Sequence, residues 1–207
     1  GSLTLSGVTL SNNAANQGGG LSVASGGSAS INNSQLIANI STFLGGGFHV
    51  QPGGSATVIT SLIDSNNGGS YGGGLYADGG LTITDSTISN NTAGGGAGFR
   101  ACCGGTIAVT SSTIANNTAT SYAGGIMTLG VQLNLVNSTI SGNVVTAPAG
   151  GEFNGRGGAI LNRLGGTVNI SSSTIVGNSA AQGGGLANEN TITVKNSLIA
   201  SPASGEN

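Results

Sequence analysis

Charged side chains are scarce in this sequence, and their scarcity excludes several functions. They make up 5% of the 207 residues, with four Lys and Arg against six Asp and Glu, for a net charge of -2. So few cations cannot form the basic stripe that neutralises nucleic-acid phosphates, nor a polybasic membrane surface. No apolar run approaches the roughly 20 residues that a membrane-spanning helix needs. We therefore expect no nucleic-acid partner and no membrane-spanning segment.

Tryptophan is absent, whereas glycine is abundant, with 41 residues. Gly, Ser and Asn, which dominate the composition, favour turns and weaken helices, so an α-helical or α/β fold is not expected. Such a composition is also common in disordered chains. Against disorder, 37% of the residues are hydrophobic and are regularly arranged. The sequence therefore predicts an ordered all-β protein.

A short phrase recurs along the chain, for example STISNN at 86–91 and STIANN at 112–117. Its central aliphatic residue falls at Leu10, Ile37, Ile63, Ile88, Ile114, Ile140, Ile175 and Ile199. All but one of the spacings lie close to 26 residues. A fixed period of this length indicates a solenoid of stacked structural repeats.

Each repeat contains two further apolar stretches. One alternates apolar and polar residues, as in LTITD at 81–85, and the other follows a glycine cluster, as in GGGLYA at 72–77. Short strands of this kind bury their apolar face only when successive repeats stack and exchange backbone hydrogen bonds. The sequence therefore predicts a right-handed parallel β-helix of about seven coils, with three short strands per coil, forming one domain over 1–207. The recurrent glycines are explained by tight turns, because no helix follows them to form a phosphate-binding loop.

Two polar columns accompany the central aliphatics. Ser stands two residues before most of them, and inward hydroxyls there are expected to bond one another along the axis. Asn stands three residues after them, at Asn13, Asn66, Asn91, Asn117, Asn143 and Asn178. These Asn residues suit a left-handed turn, and their amides are predicted to form a structural ladder between coils. Ile40 occupies this position in the second coil, so a different corner is expected there.

The motifs resemble those of bacterial surface and secreted β-helix proteins. The nearest likeness is to polymorphic outer-membrane protein repeats of autotransporter-type adhesins, which pair a GGA-aliphatic motif with Phe-x-x-Asn. Here GGAI stands at 157–160, and Ile88 to Asn91 reads Ile-x-x-Asn. The resemblance implies a secreted or cell-surface protein that displays an adhesive surface.

Catalysis is not expected. The six acidic residues occupy different repeat positions, so no carboxyl pair of the kind glycosidases need is evident. His49 is the single histidine and has no sequence-level partner for a triad or metal site. Adjacent Cys102 and Cys103 would point to opposite faces of a strand, which favours a core thiol and an outward thiol over a vicinal disulfide. We predict no catalytic site, no metal and no cofactor, although a polysaccharide lyase or hydrolase is a further alternative.

Three surfaces are candidates for binding. On the glycine-led strand, an exposed patch of unlike residues is expected from His49, Tyr76, Arg100 and Met127. On the central strand, the outward row reads Thr9, Leu36, Leu62, Thr87, Thr113, Thr139, Thr174 and Leu198. Its regular Thr residues resemble the faces of ice-binding solenoids, so an ice- or glycan-binding module is the alternative function.

The third candidate is an insertion at about 144–156, which accounts for one long repeat spacing of 35 residues. Insertions in solenoids often carry contacts, and Glu152, Phe153 and Arg156 could meet a partner. The chain opens on a strand and ends soon after one, so end-to-end stacking of copies, or a longer polypeptide, is expected. The leading interpretation is a non-enzymatic extracellular scaffold, adhesin-like or fibre-forming, whose partner is a second copy or a surface glycan.

Overall fold

A computed structural model describes residues 1–150 and 154–200. Three long parallel sheets, here called walls 1 to 3, run along the axis. Wall 1 comprises Ser2–Ser6, Ser28–Asn32, Ser55–Ile59, Gly80–Thr84, Thr106–Thr110, Gln132–Val136, Thr167–Ser171 and Thr191–Lys195. Wall 2 comprises Thr9–Ser11, Gln35–Ile37, Leu62–Asp64, Thr87–Ser89, Thr113–Ala115, Thr139–Ser141, Thr174–Val176 and Leu198–Ala200. Wall 3 comprises Leu21–Val23, Phe48–Val50, Leu75–Ala77, Phe99–Cys102, Ile126–Leu129, Ile160–Arg163 and Leu186–Asn188.

The predicted parallel β-helix is thereby confirmed, with about eight turns rather than about seven. A fourth set of short strands, here called the strip, lies between walls 2 and 3 in several coils. It comprises Ala14–Gln17, Ile40–Leu44, Thr92–Gly95, Thr118–Tyr122 and Val144–Val145. Three strands per coil is thus correct for the walls, and the strip adds a side that the sequence pattern did not reveal.

The core is a stack of like side chains inside the three walls. Ile88 pairs with Ile114, and Ile114 with Ile140, all fully buried. On wall 3, Phe48, Leu75 and Phe99 stack in the same way. Each coil thus buries aliphatic and aromatic surface against its neighbours, which is the main stabilising contribution in a repeat protein.

One coil has a different register from the prediction. Leu36, not Ile37, stacks between Leu10 and Ile63 and is fully buried. The expected special corner in the second coil is therefore wrong, because Asn39 rather than Ile40 lies three residues after the central residue. Gln35 replaces Leu36 in the outward row. The sequence QLIAN offers two adjacent aliphatics, and only the contacts with neighbouring coils choose between them.

The Asn ladder is confirmed and gains a member. In order, its residues are Asn13, Asn39, Asn66, Asn91, Asn117, Asn143 and Asn178, and each side-chain amide donates to the next Oδ1 over 2.8–3.1 Å. The same Oδ1 atoms accept from the backbone N–H of the preceding ladder residue, so these buried amides are satisfied. The left-handed residue is the one before the ladder Asn, for example Asn90 with φ 55°, and not the ladder Asn itself.

The Ser column behaves differently from the prediction. Ser86 Oγ accepts from the backbone N–H of Ser61 at 3.1 Å and donates to the Thr84 carbonyl at 2.7 Å. The hydroxyls therefore bond the backbone of the neighbouring coil and of their own turn, not one another. Ser fits this corner because its short side chain can accept and donate at once.

Candidate functional site

The candidate site lies where the strip meets the outward face of wall 3. The last residues of successive strip strands lie one above another in a column, and Tyr71 takes this position in a coil that has no strip strand. Leu44 is paired with Tyr71, Tyr71 with Gly95, and Gly95 with Tyr122. The side chains of this column cover the outward row of wall 3 and form a second apolar cluster with it. The expected exposed patch is therefore wrong in part: His49, Tyr76 and Met127 are each at least 94% buried, and Arg100 is half-buried.

The guanidinium group of Arg100 lies close to two aromatic rings. Its Cζ lies 3.9 Å from the centroid of the Tyr71 ring and 5.4 Å from that of Tyr76. A guanidinium at this distance from an aromatic face is attracted by the ring quadrupole. Among the described residues, no carboxylate forms an ion pair with Arg100, and its buried Nε has no hydrogen-bond partner. Its charge is thus held at the surface by aromatic contacts.

Tyr71 and Tyr122 stack at a centroid distance of 6.4 Å. A hydrogen bond with Tyr122 lowers the pKa of Tyr71; burial opposes this shift, and the Arg100 guanidinium reinforces it. Burial raises the pKa of Tyr122 to about 12, and the neighbouring Tyr71 adds to that shift. Tyr71 and Tyr122, with Ser70, Gly94 and Ser121, line a recess of about 220 Å³.

Arg156, the one described residue among the three candidate contacts of the predicted loop, extends this surface. Glu152 and Phe153 lie outside the described residues. Ala123, which follows Tyr122, donates its N–H to the Arg156 carbonyl at 2.8 Å, so Arg156 stands next to Tyr122 in the column. Arg156 Nη1 lies 3.4 Å from Glu189 Oε1, and Arg163 Nε lies 2.9 Å from Glu189 Oε2. A second recess of about 290 Å³ is lined by Arg156, Gln182 and Glu189.

These residues define what we call the Arg–Tyr surface: Tyr71, Arg100, Tyr122, Arg156, Arg163 and Glu189. It contains every Arg of the chain, although the protein as a whole carries a net charge of -2. With one carboxylate among three guanidinium groups, the surface is positively charged. Sequence reasoning selected Arg100 and Arg156 separately but could not bring them together, because the strip was not recognised.

A second polar group, the Asp78 cluster, consists of His49, Asp78, Cys102 and Cys103. Asp78 Oδ2 lies 3.2 Å from His49 Nε2, and its Oδ1 faces both sulfur atoms. The structure pairs the two cysteines as a vicinal disulfide, so the expected placement on opposite faces is wrong. The strand ends at Cys102, and Cys103 adopts a left-handed φ of 73°, which turns its side chain back towards Asp78.

The Thr row is regular over part of its length. Thr87, Thr113, Thr139 and Thr174 are paired in register on the outward face of wall 2. Gln35 and Leu62 separate Thr9 from them. The sequence predicts the same interruption, with Leu36 at the place that Gln35 occupies.

The stacked walls define the class of protein as a parallel β-helix, and comparison with known families agrees. Residues 1–163 match the family described as right-handed beta helix region. The match covers more than half of the chain, so the chain belongs to this family. No curated protein and no solved structure matched the chain. Within the described ranges, no helix has the length and hydrophobicity needed to cross a membrane.

Proposed function

We propose that this chain is a non-enzymatic, extracellular β-helical scaffold of the adhesin type that binds an acidic glycan on the Arg–Tyr surface. The observation that carries the proposal is the gathering of all three Arg and all three Tyr of the chain at one place. Guanidinium groups pair with carboxylates or sulfates by charge-assisted hydrogen bonds. Aromatic rings beside them offer apolar faces on which sugar rings can stack.

Charge and shape favour an anionic ligand over a neutral one. Arg100 has no carboxylate partner among the described residues, whereas Arg156 and Arg163 share Glu189. The two recesses, at about 220 and 290 Å³, are each small for a ligand pocket and lie along one column. An extended chain lying across both suits them better than a single enclosed molecule.

The residues around the recesses support binding without turnover. Glycoside hydrolysis uses two carboxyl groups on either side of the scissile bond. Of the described residues that line the two recesses, Glu189 is the one carboxylate, and two Arg side chains bond it. This arrangement favours a recognition surface over a hydrolytic centre.

Titration with a soluble polyuronate, with neutral dextran as the matched ligand, tests the proposal. We expect the polyuronate to bind and dextran not to bind. Arg100→Gln should weaken polyuronate binding by about tenfold or more, since a charge-assisted hydrogen bond contributes about 1.5–3 kcal/mol. Lys195→Gln, which removes the one other cation of the chain from wall 1, should leave binding within about twofold of the wild type. Equal binding of both polymers, or release of reducing ends, would overturn the proposal.

Ice binding is the second candidate, favoured by the four Thr residues in register on wall 2. Thermal hysteresis of the purified protein is the test, with Thr113→Leu and Thr139→Leu as variants. Absence of hysteresis in the wild type would remove this candidate.

End-to-end stacking of copies stays a prediction, to be checked by sedimentation at several protein concentrations.

A further inference from the structure

The Asp78 cluster has a geometry that neither the scaffold nor the Arg–Tyr surface explains. Asp78 Oδ1 lies 2.7 Å from Cys102 Sγ and 3.3 Å from Cys103 Sγ. All three ligand atoms, one from each residue, lie within 4.8 Å of one another. A carboxylate facing a disulfide accepts nothing from it, because neither sulfur carries a proton. The same carboxylate facing two thiols accepts hydrogen bonds, and facing two thiolates it can share a cation with them.

We propose that in their dithiol form Cys102 and Cys103, together with Asp78, bind one soft divalent cation, Zn²⁺ or Cd²⁺. Two thiolates and a carboxylate are ligands that such ions accept, and thiolates select them over Ca²⁺ and Mg²⁺. The three side chains occupy three positions, so a fourth is left for solvent. Sequence reasoning predicted no metal here because it did not extend the pairing of Ala77 with Ala101 by the one residue that brings Asp78 and Cys102 together.

The surroundings of Asp78 are those of an oriented metal ligand. Its two oxygens face different partners: Oδ1 faces the sulfurs, and Oδ2 faces His49 Nε2 at 3.2 Å. His49 is 97% buried, and its Nδ1 has no hydrogen-bond partner, so its proton is placed on Nε2, towards Asp78. Carboxylates that bind metal ions are themselves oriented by hydrogen bonds from neighbouring groups, and His49 supplies such a bond to Asp78.

The site is accessible and can adjust to a cation. Cys103 is exposed, and beyond it the positions of Gly104 and Gly105 have no other atoms within 4 Å of an added Cβ. The two sulfurs must separate to about 3.8 Å around a tetrahedral zinc ion with metal–sulfur bonds of about 2.3 Å. The open turn at Gly104 and Gly105 provides room for Cys103 to move by this amount.

The experiment begins by reducing the disulfide with a water-soluble phosphine. The disulfide gains two electrons and two protons to give two thiols, and the phosphine takes the oxygen atom of water to become a phosphine oxide. Cd²⁺ is then titrated into the reduced full chain, and the ultraviolet charge-transfer band of thiolate–cadmium bonds is followed. We expect saturation at one Cd²⁺ per chain and displacement of Cd²⁺ by excess Zn²⁺.

Variants test the ligand set. Cys103→Ser, at an exposed position that leaves the walls intact, should at least halve the band and weaken Cd²⁺ binding by at least about tenfold, and circular dichroism should confirm that its fold is unchanged. Asp78→Asn should weaken Cd²⁺ binding by at least about tenfold. Asp85→Asn removes the same charge from an exposed corner and should bind as the wild type does. The proposal is overturned if reduced wild-type protein gives no band, if Cys103→Ser retains the full band, or if Asp78→Asn binds as tightly as Asp85→Asn.

Discussion

Tyr71 and Tyr122 belong to coils separated by a third coil, yet their ring centroids are 6.4 Å apart. The residue between them in the column is Gly95, and a Cβ atom there would collide with the Tyr122 ring. At about 4.8 Å per coil, two coils would hold the rings well apart. The missing side chain of Gly95 is therefore what allows Tyr122 to lean over and stack on Tyr71.

Gly95→Ala should consequently displace Tyr122 and weaken polyuronate binding. The collision is with a side chain rather than with the backbone, so the ring can move aside while the coils keep their register. An aromatic contact of this type contributes about 0.5–1.5 kcal/mol, which corresponds to a loss of up to about tenfold in affinity. Gly80→Ala is the matched control, because a Cβ there meets only Ser55 Cβ at 3.6 Å. Equal affinities for both variants would argue against a role of the Tyr stack in binding.

Interior residues of the Asn ladder should contribute more to the free energy of unfolding than the first ladder residue does. Asn117 Oδ1 accepts from the side chain and backbone of Asn91, and its amide donates to Asn143 and to the Ile88 carbonyl. Asn117→Ala leaves several buried groups without partners and should lower the free energy of unfolding by about 3 kcal/mol or more. Asn13→Ala, at an exposed position, should lower it by less than about 1 kcal/mol. Urea denaturation measures both, and similar losses would mean that the ladder contributes little.

The register of the second coil can be checked by substituting two adjacent residues, Leu36 and Ile37, one at a time. Leu36→Ala removes a fully buried side chain and should lower the free energy of unfolding by about 2–5 kcal/mol. Ile37 is half-buried and outward, so Ile37→Ala should cost about 1 kcal/mol or less. Urea denaturation again gives the difference. The reverse order of stabilities would support the register that the sequence alone predicts.

Alkaline titration should distinguish the pKa values of the three tyrosines, all of which are near Arg100. The pKa of Tyr71 is lowered, first by its hydrogen bond with Tyr122, whereas burial raises the pKa values of Tyr76 and Tyr122 to about 12. Tyrosinate absorbance should therefore rise in two steps, and Tyr71→Phe should remove the first. A single step near pH 10 in the wild type would contradict this assignment.

The same shifts predict how stability depends on pH. Between about pH 10 and pH 12 the folded chain retains protons on Tyr76 and Tyr122 that the unfolded chain has released. The stability that these two groups contribute is complete below pH 10 and is lost as pH rises towards 12. The lowered pKa of Tyr71 changes the stability in the opposite direction, but it is one group against two. Urea midpoints measured across this range should fall, and Tyr122→Phe should reduce the fall.

Glu189 should oppose the binding of an acidic glycan. Its carboxylate neutralises Arg156 and Arg163, and it repels an anionic ligand. Glu189→Gln should therefore strengthen polyuronate binding by about threefold to tenfold, as expected for an exposed ion pair of at most about 1 kcal/mol plus the removed repulsion. Asp85→Asn serves as the charge-matched control. Weaker binding by Glu189→Gln would indicate that Glu189 itself contacts the ligand.

The walls could be predicted from the sequence because each buried position repeats once per coil. Leu36 and Ile37 mark where this reasoning fails, since two adjacent aliphatics fit the pattern and the contacts with Leu10 and Ile63 decide between them. The burial of His49 and Tyr76 could not be foreseen without the strip, whose short strands lack a regular alternation of apolar and polar residues. Asp78 and Cys102 could have been found: both stand one residue beyond the paired Ala77 and Ala101, so extending that register by one residue brings them together.

The ladder bond between Asn143 and Asn178 spans the insertion, yet at 2.9 Å it is as short as its neighbours. The insertion thus adds about nine residues between two coils, and the contacts within the walls are the same as in the neighbouring coils. The edge of the strip next to Arg156 is therefore a natural grafting position. Segments of different length and chemistry can be exchanged there, next to the guanidinium groups, while the underlying solenoid keeps its registry.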